Sequence, residues 1–230
     1  MSALDITNRF HHPGFQDSTI DWRISRHDYP IRAVILHHSA GFYGATLSEG
    51  SLLEQDQAQI DAMAADHFNR FGIGPGYNYV ACPSGRLFAV GKVGTHRAHT
   101  KGRNPEDRGR WNIDGVAICA LGNYEVDEPG ELLKAAIRRG INEIRGFSVA
   151  ASPTIPLYPH GSIPTVDSRG HNFPQGTACP GKHLIDAFGK DCPVIDLSDE
   201  ARQLRTIENR LHVLQLEVEI VADSLERKST

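Results

Sequence analysis

The sequence has little of several features that would place it in a class at once. Its four cysteines, at positions 82, 119, 179 and 192, are too few and too scattered for a disulfide framework, so each is expected to be a reduced thiol or a ligand. No apolar run approaches the roughly eighteen residues of a membrane span. The first residues, Met1 to Ile6, lack the basic-then-apolar pattern of a secretory signal. We therefore expect a protein made in the cytoplasm without a signal peptide and without a transmembrane segment.

Charge of one sign is not in excess either. The 24 lysines and arginines are nearly balanced by 28 aspartates and glutamates, which gives a formal net charge of -4. This balance offers no bulk attraction to a polyanion, so nucleic acid is not an expected partner. The 230 residues are 40% hydrophobic, which is enough for one good-sized core with some length left for an appendage. Histidine is the residue type present in unusual number, with 12 copies.

The apolar residues predict strands and helices in alternation, as in an α/β fold. Short runs of branched apolar residues predict two buried strands, at residues 33–36 and 116–121. A Pro-Ser-Gly turn joins two further strands into a hairpin over residues 77–90. Helical spacing predicts helices over residues 51–71 and from about 128 to 146.

Two flanking regions differ from this main part of the chain. Residues 1–30 carry turn signals and little apolar periodicity, so we interpret them as an N-terminal arm over the surface. Residues 199–228 carry a heptad pattern that predicts an amphipathic helix. That helix either packs on its own domain or forms a coiled coil, which would make a homo-oligomer. Residues 31–195 form the predicted central domain.

The best candidates for metal ligands are a histidine at the end of a strand and one cysteine. His37 follows the first buried strand, and Cys179 stands before Pro-Gly in a later loop. With a second histidine from the region before the cysteine, they would give zinc two nitrogens and a thiolate. The fourth position would stay open for water, as in a catalytic zinc site. Taken singly, each signal is equally typical of surface histidines or of a small buried thiol.

Taken together and in order, the motifs resemble the type 2 N-acetylmuramoyl-L-alanine amidases, a family that includes phage lysozyme-type amidases and peptidoglycan recognition proteins. Several motifs in one order make the match specific, although any one alone would be weak. The resemblance covers about residues 30–190. The matching motifs lie at residues 34–40, 76–79, 98–102, 112–118, 121–123, 170–171 and 177–181.

This resemblance implies a mixed central sheet flanked by helices, with residues 31–195 as the catalytic domain. It also implies one zinc ion and hydrolysis of the amide between N-acetylmuramic acid and L-alanine in peptidoglycan. In the matching motifs, His37 corresponds to the first zinc ligand and Cys179 to the last. Tyr77 corresponds to the residue that orients the attacking water, and Thr177 to the residue that supports the oxyanion.

The middle zinc ligand is open between two histidines. His171 follows a glycine at the family spacing of eight residues before Cys179, but residues 165–169 make a poor buried strand. His160 ends the better strand, residues 155–159, but requires a longer loop before the cysteine. Loop insertions cost little, and a metal ligand is better placed on a firm element. The spacing favours His171, and His160 is the alternative.

The polar loop over residues 96–112 is the predicted substrate-binding region. His99, Lys101 and Asn112 are assigned to it, because a basic loop can bind the carboxylates of a stem peptide through charge-assisted hydrogen bonds. The alternative interpretation is a solvated charged surface.

Three other functions compete with that of a wall-lytic amidase of the endolysin kind. A peptidoglycan-binding module that does not cut is disfavoured, because His37, Tyr77 and Cys179 are all present. A cytosolic amidase that recycles muropeptides stays open, and the heptads slightly favour the endolysin. A zinc deaminase is excluded, because its His-x-Glu and paired Cys-x-x-Cys motifs are absent.

Overall fold

The structure, a computed structural model, describes residues 3–10, 31–42, 51–93, 95–147 and 155–189. Most of the predicted N-terminal arm, Cys192 and the heptad segment 199–228 lie outside these residues. The coiled coil, the homo-oligomer and the domain boundaries therefore stay predictions.

Six strands form one mixed sheet. Their bounds are β1 Leu4–Asp5, β2 Ala33–His38, β3 Tyr79–Ala81, β4 Leu87–Ala89, β5 Gly115–Ala120 and β6 Leu157–Pro159. The spatial order is β1-β4-β3-β5-β2-β6. β3 and β4 are antiparallel and form the predicted hairpin, whereas the other neighbouring pairs are parallel. The predicted α/β fold with a mixed sheet is confirmed.

The two predicted long helices are present, with boundaries set by local chemistry. The α-helices of the described residues are α1 Leu52–Phe71, α2 Trp111–Asp114, α3 Glu131–Phe147 and α4 Lys182–Phe188. Ser51 and Glu54 form a reciprocal capping box at the start of α1. Gly72 ends that helix with a φ of 71°, a left-handed conformation that glycine adopts at little cost. Within the described residues, no helix is long and apolar enough to cross a membrane.

Helices α1 and α3 cover opposite faces of the sheet. Side chains alternate across a strand, so neighbouring residues of β5 point to different faces. Ile118 of β5 belongs to the same apolar cluster as Ile137 of α3. Cys119 of β5 belongs to a second cluster with Ile60 of α1. The sheet is therefore buried on both faces, which leaves the ends of its strands as the places where polar side chains can meet.

Candidate metal centre

Two histidines meet because two strands run side by side in the same direction. β2 and β6 pair in parallel, with Leu36 opposite Pro159. The next residues along these strands are His37 and His160, and the centroids of their rings lie 4.3 Å apart. Strand pairing places both imidazoles at the carboxyl end of the sheet.

Cys179 joins these histidines from the loop that precedes α4. Its Sγ lies 3.6 Å from Nδ1 of His37 and accepts the backbone N–H of His38 at 3.4 Å. Its carbonyl accepts the backbone N–H of Gly161 at 2.7 Å, which joins the cysteine loop to the turn after His160. His37, His160 and Cys179, named here the histidine–cysteine cluster, each offer a ligand atom, and these atoms lie within 4.8 Å of one another.

The protonation states expected of this cluster suit a cation. Burial lowers the pKa of His37 well below its usual value and lowers that of His160 to about 4, so both imidazoles are neutral at pH 7. Nδ1 of His160 is buried and, among the described residues, has no hydrogen-bond partner. A buried nitrogen without a partner is costly, and a metal ion would satisfy its lone pair.

The thiol completes a donor set that fits zinc. Burial raises the pKa of Cys179 to about 12, so the thiol is protonated at neutral pH unless a cation is bound. A bound metal ion deprotonates a coordinating thiol. Two imidazole nitrogens and one thiolate are the donors of a catalytic zinc site with one open position.

His171 lies outside the cluster, which corrects the sequence preference for that residue. Its side chain is 73% exposed, and its Nδ1 lies 3.3 Å from Oδ2 of Asp167. His171 belongs to a short turn in which the Asp167 N–H donates to the His171 carbonyl at 2.8 Å. The structure thus brings His160, the alternative of the sequence analysis, to His37 and Cys179. The family spacing favoured His171, but the segment before the cysteine contains this additional turn, and His160 is the histidine that lies beside His37 and Cys179.

The two residues assigned to catalysis lie beside the cluster. The ring of Tyr77 is half-buried, with its centroid 5.2 Å from that of His37. Thr177 is exposed, and its Oγ1 accepts the backbone N–H of Cys179 at 3.1 Å. Both positions are compatible with the predicted roles, which remain predictions.

The three residues assigned to substrate binding differ in their surroundings. His99 is buried, its ring centroid lies 5.5 Å from that of His37, and burial lowers its pKa to about 3. Asn112 uses its Oδ1 to accept the backbone N–H groups of His99 and Thr100, at 2.9 and 2.7 Å. Lys101 is exposed. Asn112 therefore holds the loop, and Lys101 is the one of the three that is open to solvent.

Two polar residues near the site had no clear sequence signal. Nδ1 of His67, on α1, accepts the backbone N–H of Gly76 at 2.9 Å, and the ring of His67 packs edge-on against Tyr77. Gln175 contacts His160, with Oε1 lying 3.2 Å from Nε2 of that histidine. Both contacts depend on tertiary packing, so no motif or spacing predicted them.

The fold is shared with proteins of known structure. The fold is that of the peptidoglycan-recognition proteins and N-acetylmuramoyl-L-alanine amidases, the type 2 amidase fold. No protein-family model matches the chain. The resemblance found in the sequence motifs is nevertheless confirmed, because the homologues of the chain are peptidoglycan-recognition proteins.

Three relatives show the extent of the similarity. The chain is 27% identical over 169 residues to a peptidoglycan-recognition protein of Drosophila simulans, covering 73% of this chain and 78% of that protein. The ectodomain complex of peptidoglycan recognition proteins LCa and LCx, solved with bound tracheal cytotoxin, matches with a TM-score of 0.57 and 18% identity, covering 83% of this chain and 98% of that one. The N-acetylmuramoyl-L-alanine amidase LysC from Clostridium intestinale URNW matches with a TM-score of 0.51 and 12% identity, covering 83% and 97%.

Proposed function

We propose that this protein is a zinc-dependent N-acetylmuramoyl-L-alanine amidase, which hydrolyses the amide bond between N-acetylmuramic acid and L-alanine in peptidoglycan. The observation that carries this proposal is the convergence of His37, His160 and Cys179, whose ligand atoms lie within 4.8 Å of one another. The fold and the homologues support a peptidoglycan-related activity, either binding or amide hydrolysis. The donor set favours hydrolysis, since binding alone does not need two neutral imidazoles and a thiol gathered at one point.

The residues of the chain divide the work of this reaction. His37, His160 and Cys179 would hold the zinc. When bound, zinc supplies a Lewis acid that activates water and polarises the scissile carbonyl. Tyr77, beside His37, would orient the attacking water or relay its proton. Thr177 would donate its hydroxyl hydrogen toward the negative charge that develops on the carbonyl oxygen.

Substrate positioning would come from the loop that ends at Asn112. Asn112 fixes the backbone of His99 and Thr100, and the exposed Lys101 follows directly. An ammonium group at this point can bind a stem-peptide carboxylate through a charge-assisted hydrogen bond. We propose cell-wall lysis of the endolysin kind as the setting, with recycling of free muropeptides as the alternative.

The test is whether the purified protein releases the peptide from a defined muropeptide. Zinc-loaded wild type should produce a new L-alanine amino terminus, detected by mass spectrometry, from a soluble N-acetylmuramoyl peptide. Cys179→Ala should lose stoichiometric zinc and about 1,000-fold of the rate, because it removes one of three ligands. Intact sacculi, compared with the soluble fragment, distinguish a wall-lytic enzyme from a recycling enzyme.

Cys82→Ala is the matched control, because Cys82 is also a free cysteine but is buried in the apolar cluster on the α1 face. It should keep both zinc and activity. Full activity in Cys179→Ala would contradict the mechanism. A wild-type protein that binds the muropeptide without releasing the peptide would instead be a recognition module.

A further inference from the structure

We infer that Gln175 is a positioning residue that fixes the ring orientation of His160, so that Nδ1 of the imidazole faces His37 and Cys179. The inference rests on the proposed function in one respect, namely that the histidine–cysteine cluster holds a metal ion. The contact between Gln175 and His160 itself is a property of the protein without metal.

The orientation of the Gln175 amide is decided by its other partners. Its Nε2 lies 2.8 Å from the backbone carbonyl of Lys101 and 3.2 Å from Oγ1 of Thr165. A backbone carbonyl can only accept a hydrogen bond, so the amide must present its NH2 group on that side. The carbonyl oxygen Oε1 must then face His160.

The acceptor character of Oε1 in turn decides where His160 carries its proton. Oε1 of Gln175 lies 3.2 Å from Nε2 of His160. An amide oxygen cannot donate, so a hydrogen bond there requires the proton on Nε2. The lone pair of the neutral ring is then on Nδ1. This is the nitrogen that is buried without a hydrogen-bond partner among the described residues.

Gln175 is itself anchored by a folded segment. Thr165 is 2% exposed, and its hydroxyl donates to the carbonyl of Phe173 while it accepts from Gln175. The backbone of Phe173 donates back to Thr165 at 2.9 Å. Val166 exchanges two backbone hydrogen bonds with Arg103, at 2.9 and 3.0 Å. Segment 165–175 lies between His160 and Cys179 in sequence. Its hydrogen bonds therefore hold the amide of Gln175 against Nε2 of His160.

The physical consequence is a metal ligand whose orientation is set before the metal binds. A metal-ligating histidine that donates its other ring N–H to a carbonyl is held in the productive tautomer and rotation. Without Gln175, the imidazole of His160 can rotate about its Cβ–Cγ bond and exchange the nitrogen that it presents. Loss of such an outer partner typically lowers metal affinity by about 10- to 100-fold.

The experiment measures the histidine in the metal-free protein and metal affinity in the same full-length variants. Nitrogen-15 NMR of the apo protein should show Nε2 of His160 protonated in wild type and a mixed population in Gln175→Met, which keeps the side-chain length but has no amide acceptor. Competition with a chromophoric chelator should show zinc and cobalt affinity about 10- to 100-fold lower in Gln175→Met. Gln175→Glu keeps an acceptor facing His160 but has no donor for the Lys101 carbonyl, so it should restore the proton on Nε2 of His160 and recover only part of the lost zinc affinity.

His171→Ala is the matched control, since it removes a side chain of the same segment that lies outside the cluster. It should leave both the NMR signals of His160 and the zinc affinity unchanged. A Gln175→Met protein with the wild-type tautomer and wild-type zinc affinity would overturn the inference. A wild-type protein with tight zinc binding but no peptide release would overturn the proposed hydrolysis and leave the role of Gln175 intact.

Discussion

His160 and His171 are the two candidates that the sequence offers for the middle zinc ligand. They lie in regions of very different construction. His160 directly follows β6, whose residues pair with β2, and its ring lies 4.3 Å from that of His37. His171 lies in segment 165–175, its side chain is 73% exposed, and its Nδ1 lies 3.3 Å from Oδ2 of Asp167. The difference teaches that membership of the histidine–cysteine cluster follows from strand pairing and not from sequence separation to Cys179.

The reason is the rigidity of the supporting backbone. The pairing of Ile35 with Tyr158 and of Leu36 with Pro159 fixes the ends of both strands. A side chain on such a strand end reaches the histidine–cysteine cluster with little remaining freedom. Segment 165–175 can vary in length at small entropic cost, because each doubling of a loop's length costs only about 0.6 kcal/mol.

The largest expected effect is the loss of zinc affinity in His160→Ala, with His171→Ala as its control. His160→Ala should lower zinc affinity by about 1,000-fold, because each ligand of a zinc site contributes several kcal/mol. His171→Ala should leave zinc affinity within about twofold of wild type, because its side chain is exposed and outside the cluster. Zinc affinity is measured by competition with a chromophoric chelator. A large loss of zinc affinity in His171→Ala, with little change in His160→Ala, would show that His171 is the ligand, as the family spacing predicts.

A smaller effect tests whether buried histidines near the site remain neutral. Burial lowers the pKa of His67 to about 4. Between pH 6.5 and 4 the unfolded chain binds a proton at this imidazole and the folded chain does not, so stability falls as the pH falls. The contribution of His67 to that loss is about 3 kcal/mol. Urea unfolding of the metal-free protein across this pH range measures it.

His67→Asn is the variant that isolates this contribution. An asparagine Oδ1 can replace Nδ1 of His67 as acceptor of the Gly76 N–H, and it does not titrate. The variant should be less stable at pH 7 but lose about 3 kcal/mol less on acidification than wild type. Equal losses in the two proteins would show that His67 is protonated in the folded state.

The turn that joins His160 to the cysteine loop is the next point at which the comparison can be tested. A Cβ at Gly161 would overlap the carbonyl oxygen of Thr177, so a backbone must move. Gly161→Ala should lower the free energy of unfolding by about 2 kcal/mol and weaken zinc binding, since Cys179 shifts with Thr177. Urea unfolding and the chelator assay measure the two quantities.

Gly130→Ala is the matched control, because a Cβ there has nothing within 4 Å. It should change neither quantity by more than about 0.5 kcal/mol. A Gly161→Ala protein with wild-type zinc affinity would show that Cys179 reaches the cluster independently of the turn after His160.

The sequence was sufficient for the fold and for part of the site. Apolar runs located β2 and β5, and the strand-ending position of His37 and the Cys-Pro-Gly motif of Cys179 identified two members of the cluster. The sequence could not decide between the two later histidines, because the pairing of β6 with β2 joins residues far apart in the chain. The contact of Gln175 with His160 could not be predicted for the same reason, since the amide of Gln175 is oriented by the distant Lys101 and by Thr165.

The smallest expected effect concerns the loop before α2. This loop is neither paired like the strand end before His160 nor folded like segment 165–175. Oδ1 of Asn112 accepts the backbone N–H groups of His99 and Thr100. One side chain therefore fixes the backbone of this loop, as strand pairing fixes the backbone before His160. Asn112→Ala leaves both donors without that acceptor and should cost about 1–2 kcal/mol in urea unfolding. Asn112→Asp keeps an acceptor at the same position and should recover most of that stability. If Asn112→Ala is instead as stable as wild type while muropeptide binding weakens, Asn112 contacts the substrate as the sequence analysis predicted, and another contact holds the loop.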